Sequence, residues 1–299
     1  MTPAKKLKAR NFRSAKQELP PQDPSPYSGP DSAYSLAFTD KEFLLREEMR
    51  AVRMQLELLK PELIQQEEGI TSTVVIFGSA RIPEPEQAKA ALAKAQQSGH
   101  TTDLAKAERD VRNARYYEEA RKFARLVTLE SRRYGEPITV VTGGGPGVME
   151  AGNRGAFESG GPTIGLNIVL PHEQAPNPYI TPSLCFNFHY FALRKMHFLM
   201  RAVALVCFPG GFGTLDELFE VLTLIQTKKS RARPILLFGE SFWRSVLNFD
   251  ALVEHGMISP EDVHLFRFVE SAEDAWAHLV KEFELDLPSL DNDDLSQDM

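Results

Sequence analysis

Two cysteines in 299 residues, Cys185 and Cys207, are too few for a disulfide framework. Both sit inside apolar segments and read as buried small hydrophobes in a reducing cytosol. No Cys/His cluster occurs at ligand spacing, so no structural zinc or other metal is expected. No apolar run approaches 18 residues, which argues against a membrane span. The basic N-terminus lacks the apolar middle of a signal peptide, and the expected location is cytoplasmic. An excess of positive charge is missing too. The net charge of −7 argues against nucleic acid as the main partner. A mononucleotide needs only local positive potential and stays open. There is no internal repeat, no G-x-G-x-x-G and no Walker A sequence, so neither dinucleotide nor ATP chemistry is signalled.

What is present is an alternation of short apolar runs with longer amphipathic ones. Residues 1–40 are rich in Pro, Ser and Lys and read as a disordered tail. Residues 41–69 read as an N-terminal helix. Its stripe is Phe43, Leu44, Met49, Val52, Leu56, Leu59 and Leu63, and Pro61 is a weak point. Strands are expected at Val74–Phe77, Ile138–Val141, Thr163–Val169, Leu184–Phe188, Val203–Phe208 and, last, Pro234–Phe238. Between the first two, Glu84–Arg133 is helix-forming with one break near Ser98-Gly99-His100, and residues 84–115 read as an exposed insertion. Helices are also expected at His189–Arg201, Phe242–His255 and Ala272–Phe283. Residues 288–299 read as a loose acidic tail. Strands alternating with helices predict an α/β fold: a Rossmann-like, doubly wound parallel sheet over residues 70–287.

The chain is organised around AVALVCFPGGFGTLDELFEVLTLIQ, a buried strand, a glycine loop and a helix. Gly210, Gly211 and Gly213 let a ligand reach the main chain, and the helix start aims N–H groups at the same space. That arrangement suits a phosphate. A second loop, TGGGPGVMEAGNRGA, places Gly143, Gly144, Gly145 and Gly147 after another strand, and Ser79 ends the first strand. If the ligand is a nucleoside 5′-monophosphate, breaking the bond between base and ribose builds positive charge on the sugar, which a fixed carboxylate stabilises. Glu217 is the candidate. A place in the first helical turn is expected to lower its pKa and keep it ionised. Arg194 would neutralise phosphate or orient Glu217 through a bidentate pair. Thr214 to Glu217 also fits the capping box S/T-x-x-E, and only the preceding glycines tip the reading toward a site. Met149 and Met196 read as core, and His172, His189 and His197 as structural.

These residues resemble a known family. PGGFGTLDE, from Pro209 to Glu217, matches the PGGxGTxxE signature of the Lonely guy (LOG) family, often mislabelled lysine decarboxylase. The match extends through GGGPGVMEA, Arg194-Lys195-Met196 and EVLTLIQ. The resemblance implies hydrolysis of a nucleoside 5′-monophosphate, of AMP or cytokinin riboside type, to free base and ribose 5-phosphate. It implies a homo-oligomer, dimeric or dimer-based, without a cofactor. Arg194 and Glu217 match the family's catalytic pair. Glu173, Lys195, the glycines, Thr214 and Thr223 match its substrate-contacting positions. The rival reading is a non-catalytic carrier of a phosphorylated cofactor such as molybdopterin.

Overall fold

The β-branched run Ser72–Phe77 forms β1, the central strand of a seven-stranded sheet. The computed structural model describes residues 15–17, 26–27, 32–98, 100–133, 135, 137–171 and 175–283. The other strands are β2 (Ile138–Thr142), β3 (Thr163–Ile168), β4 (Cys185–Phe188), β5 (Ala202–Cys207), β6 (Ile235–Phe238) and β7 (Arg267–Val269). Their order is β4-β3-β2-β1-β5-β6-β7, and all six pairings are parallel. Such strands are covered on both faces and need near-continuous apolar sequence. In β1, Val74 and Ile76 enter one core while Val75 and Phe77 enter the other. The strand expected to be last is not: β7 follows it at the sheet edge. Only three residues long and opening on an exposed arginine, it carried too little apolar signal to be read.

The chain winds outward from β1 to β4 and then returns to place β5 on the other side of β1. The crevice of a doubly wound sheet opens at such a reversal, outside the carboxyl ends of the strands.

The chain divides into two compact units, residues 1–53 and 54–299. In the first, Asp40 caps α1 (Lys41–Leu44) by accepting from the Phe43 N–H, and Arg53 donates to the Leu44 carbonyl at 2.8 Å. The helix expected over residues 41–69 is interrupted here by a short 3-10 turn, Glu47–Met49, before α2 (Arg50–Glu67).

Within the second unit, α2 continues past Pro61. A proline there leaves the carbonyl of Glu57 without its helical donor. The ring of buried His197 supplies one, with Nε2 at 3.2 Å. The expected apolar stripe is also rotated. Met54, Leu58 and Ile64 pack on the core, whereas Leu56, Leu59 and Leu63 are each about half exposed.

Next come α3 (Pro85–Ser98), α4 (Thr101–Asn113) and α5 (Arg115–Arg133). The chain breaks at 98–100 as expected and again at Ala114, which was not foreseen. On the same face as α5 lie α6 (Val148–Glu158) and α11 (Ala272–Glu282). The opposite face carries α7 (Phe191–Met200), α8 (Phe212–Gln226) and α9 (Glu240–Val246). The helix expected over 242–255 is split, because Asn248 starts α10 (Phe249–Glu254) by capping the Ala251 N–H. Cys207 is buried but Cys185 only half so, and both thiols are free. Among the described residues no helix is long and apolar enough to cross a membrane.

Candidate active site at the strand ends

The crevice holds a cavity of about 680 Å³. Gly78 and Ser79 after β1, Gly143 after β2, Arg194 of α7 and the turn from Gly210 to Glu217 all line it. The loops after β1 and β5 are tied together, since Ser79 N donates to the Pro209 carbonyl at 3.0 Å. Ser79 also accepts the Val148 N–H on its own carbonyl, at 3.1 Å, which anchors the start of α6.

The helix α8 begins earlier than the capping box requires. Its N-cap is Gly211, with no side-chain cap, and Thr214 stands at the third helical position. Thr214 and Leu215 both donate to the Gly211 carbonyl, so the N–H groups of Phe212 and Gly213 find no protein acceptor among the described residues. An unpaired helix start beside a cavity is an anion site in waiting. The Thr214 side chain lies over Gly210, where a Cβ would meet its hydroxyl at 2.1 Å. Gly211 and Gly213 face open space.

This earlier start moves Glu217 into the second turn, away from the helix dipole's strongest region. Glu217 is only 6% exposed, and its Oε2 has no hydrogen-bond partner. Burial therefore dominates: it pushes the carboxyl up to about 7, against the pull of Lys195 and Arg194, and Glu220 and Asp216 push the same way as burial. The expectation of a lowered pKa is overturned.

Arg194 is not paired with Glu217 either. Its Nε donates to the Leu166 carbonyl at 2.7 Å and its Nη2 to the Gly143 carbonyl at 3.3 Å, and its guanidinium lies over the Phe198 ring. Burial lowers its pKa while the charge of Glu217 opposes that. Gly143 leaves the room the guanidinium occupies, since a Cβ would stand 2.7 Å from Nη2 and displace it. The two groups thus share one cavity, each fixed by its own surroundings.

Lys195 points elsewhere. It bridges Asp216 and Glu220 at 2.8 Å each. Burial works against its charge, but those bonds hold its pKa above the ordinary lysine value. Gly144, Gly145, Lys195 and Thr223 do not line the cavity, and Thr223 donates back to the Phe219 carbonyl. Glu173 and His172 lie outside the described residues.

Sequence reasoning missed much of the wall. Phe191, Phe198, Phe212 and Phe242 supply its apolar side, and Met149 joins them instead of the core. Met196 is 46% exposed, so it is not core either. Asn177 went unnoticed as well. It donates to both Gly144 and Gly145 carbonyls at 3.1 Å and to the Asn153 Oδ1 at 2.8 Å. Its only signal was an amide between two prolines in a loop too polar for core.

The family described as "Possible lysine decarboxylase" matches residues 149–279. The cytokinin riboside 5′-monophosphate phosphoribohydrolase LOG1 of Arabidopsis thaliana is 32% identical over 151 residues, 49% of this chain and 68% of that protein. The probable phosphoribohydrolase LOGL5 of Oryza sativa subsp. japonica is 33% identical, over 41% of this chain and 50% of its own length. A solved molybdenum cofactor carrier protein from Chlamydomonas reinhardtii overlaps 72% of this chain and 99% of its own, at 16% identity and a TM-score of 0.44. The range matched by the family contains the α7 cations, the open glycine turn and the buried glutamate, and the chain belongs to the LOG family.

Proposed function

We propose that this chain hydrolyses the N-glycosidic bond of nucleoside 5′-monophosphates, of AMP or cytokinin riboside type, to free base and ribose 5-phosphate. The observation that carries the reading is a buried carboxylate with an unsatisfied oxygen, Glu217, on the wall of a cavity that also holds an unpaired helix start and Arg194. In this reading the 5′-phosphate takes the N–H groups at the start of α8 and the Thr214 hydroxyl, with Arg194 adding positive potential. The bond from C1′ to the base nitrogen breaks, and its electron pair leaves with the base. The ionised Glu217 steadies the positive charge that develops on the ribose. Water then adds its oxygen to C1′. One of its protons passes to Glu217 and on to solvent, and the base nitrogen gains a proton, so that the charges balance. The apolar wall of Phe191, Phe212 and Phe242 suits the flat apolar face of a base.

The test is base release from AMP, GMP, CMP, UMP and isopentenyladenosine monophosphate, by wild type and by Glu217→Gln. Turnover by wild type that falls at least a thousandfold in the variant, with nucleotide affinity retained, is the expected result. A folded wild type that releases no base from any of them refutes the reading. Binding without turnover in both proteins means a carrier. We also propose a homo-oligomer built as a dimer, supported by the outward leucines Leu56, Leu59 and Leu63 on α2. A monomeric mass by light scattering at micromolar concentration rejects it.

A further inference from the structure

A second cavity, of about 950 Å³, lies away from the glycine loops. It lies at the other end of the sheet, where Ala202 opens β5, Ile235 opens β6 and Arg267 opens β7. Ligands of doubly wound sheets gather at the carboxyl ends, so a large hollow at the amino ends calls for its own account. Its walls carry Arg201, Arg231, Arg233, Arg267, His264 and His278, against one carboxylate, Glu282. In a chain of net charge −7 this is a concentrated reversal of sign.

Not all of that charge is free. Arg201 is neutralised by Glu62, which it engages with both terminal nitrogens. The other three arginines have no carboxylate partner among the described residues. Arg233 donates to the carbonyls of Leu199 at 3.0 Å and Ala202 at 2.8 Å and to the Ser230 hydroxyl. Burial lowers its pKa, as befits a cation without a counter-ion. The Arg267 guanidinium lies against the His278 ring, whose Nε2 is 2.8 Å from its Nη1, and that same Nε2 stands 4.0 Å from the Asp274 carboxylate. Arg231 is exposed, and its guanidinium has no hydrogen-bond or ion-pair partner among the described residues, although its main-chain carbonyl accepts from the Ser230 hydroxyl. Arg231, Arg233 and Arg267 therefore line one hollow with Glu282 as the one acidic lining residue, and a multiply charged anion is the partner that guanidiniums bind with charge-assisted, bidentate bonds. Ile225, Phe266 and Phe283 give the same hollow an apolar side.

We propose that this cavity binds a small anion carrying two or more phosphate groups, held by Arg231, Arg233 and Arg267. It shares no lining residue with the glycine-loop cavity, so the two sites fill independently. The probe is inorganic tripolyphosphate, titrated calorimetrically into the full chain with and without saturating AMP. Saturable binding that AMP does not displace is expected. Arg231→Glu, an exposed position that leaves the fold alone, is expected to weaken it at least tenfold, and Arg267→Glu similarly. Glu217→Gln is expected to leave it unchanged while removing base release, which separates this proposal from the hydrolase reading. The absence of saturable binding overturns the proposal. So does displacement by AMP, which would place the anion at the glycine loops, or an affinity that ignores both arginine substitutions.

Discussion

Two glycine-rich loops join a parallel strand to a helix in this protein, and they use their glycines for opposite reasons. In the loop from Gly143 to Gly147 the residues are jammed. A Cβ on Gly144 would meet Asn167 at 2.3 Å, and one on Gly147 would meet the Ser79 carbonyl at 2.5 Å. The loop is strapped as well: Gly144 N donates to the Thr142 hydroxyl, and Asn177 holds two of its carbonyls. In the loop from Gly210 to Gly213, Gly211 and Gly213 face empty space, and Phe212 between them is 92% exposed. Similar composition therefore conceals one loop that is packed shut and one left open for a ligand. The strapped loop has the carbonyls of Gly143, Gly144 and Gly145 bonded to side chains, whereas the open one stands beside Glu217, whose Oε2 has no partner. On the proposed reading, that contrast gives the first loop a packing role and leaves the second open to the phosphate.

The comparison breaks most visibly at Gly147. It sits at a φ of +70°, and a methyl group there strikes backbone, which cannot swing aside. Gly147→Ala is expected to cost roughly 3 kcal/mol or more, lowering the melting temperature by on the order of 10 °C. A circular dichroism melt superimposable on wild type would show that the loop is not packed as described.

The second effect belongs to the open side. Glu217 has a folded pKa of about 7 against 4.5 for the free side chain, so the unfolded chain ionises first as pH rises. Between those values folding must keep the carboxyl protonated, and above about 7 it must bury the charge. Stability from this group is thus fully present below pH 4.5 and lost as pH climbs through 7. Glu217→Gln is expected to gain up to about 3 kcal/mol at pH 8 and nothing at pH 4.5, while losing turnover. In wild type the rate constant kcat/KM is expected to rise about tenfold per pH unit below 7, because the ionised form acts. A pH-independent stability difference, or a rate that falls between pH 6 and 8, contradicts this.

The parallel sheet and the two loops were legible in the sequence because buried strands leave unbroken apolar runs and glycine marks the turns. The polar chemistry was less so. The lowered pKa expected for Glu217 followed from placing Thr214 at the helix start, and the structure begins that helix two residues earlier, at Phe212. Burial, which depends on what packs from other elements, then outweighed position along the helix. The α2 stripe failed for a related reason. Helical spacing shows that leucines share a face, but not that Met54, Leu58 and Ile64 are the ones turned inward. Asn153 was hidden inside GNRGA. It is fully buried, and only the fold brings it to Thr142, Thr163 and Asn177.

That amide sharpens the comparison from the strapped side. Asn153→Ala removes the acceptor for Thr142 and Asn177 and the donor to Thr163 and the Ile164 carbonyl. Each buried group left unpaired costs on the order of 1–3 kcal/mol, and partial relaxation brings the expected total to about 2 kcal/mol. Denaturant unfolding with an unchanged slope reads this directly. An unchanged midpoint would mean the strap does not stiffen its loop.

The smallest effect is the most discriminating. Gly211 has an extended backbone, with φ at −97°, and no atom lies within 4 Å of the Cβ it lacks. Alanine there meets no strain and no clash, so the melting temperature is expected to hold within about 1 °C or rise slightly, since alanine restricts the unfolded chain. The methyl group instead projects into the space that the phosphate must enter to reach the start of α8. KM for AMP is expected to rise about tenfold, equivalent to about 1.4 kcal/mol, with kcat changed much less because Glu217 and Arg194 stay in place. The same residue pair, glycine and alanine, then unfolds one loop and spares the other, while only the spared one loses substrate affinity. If Gly211→Ala destabilises the fold as Gly147→Ala does, the second loop is packed rather than open. If it leaves KM untouched in an active enzyme, the phosphate does not lie against this turn.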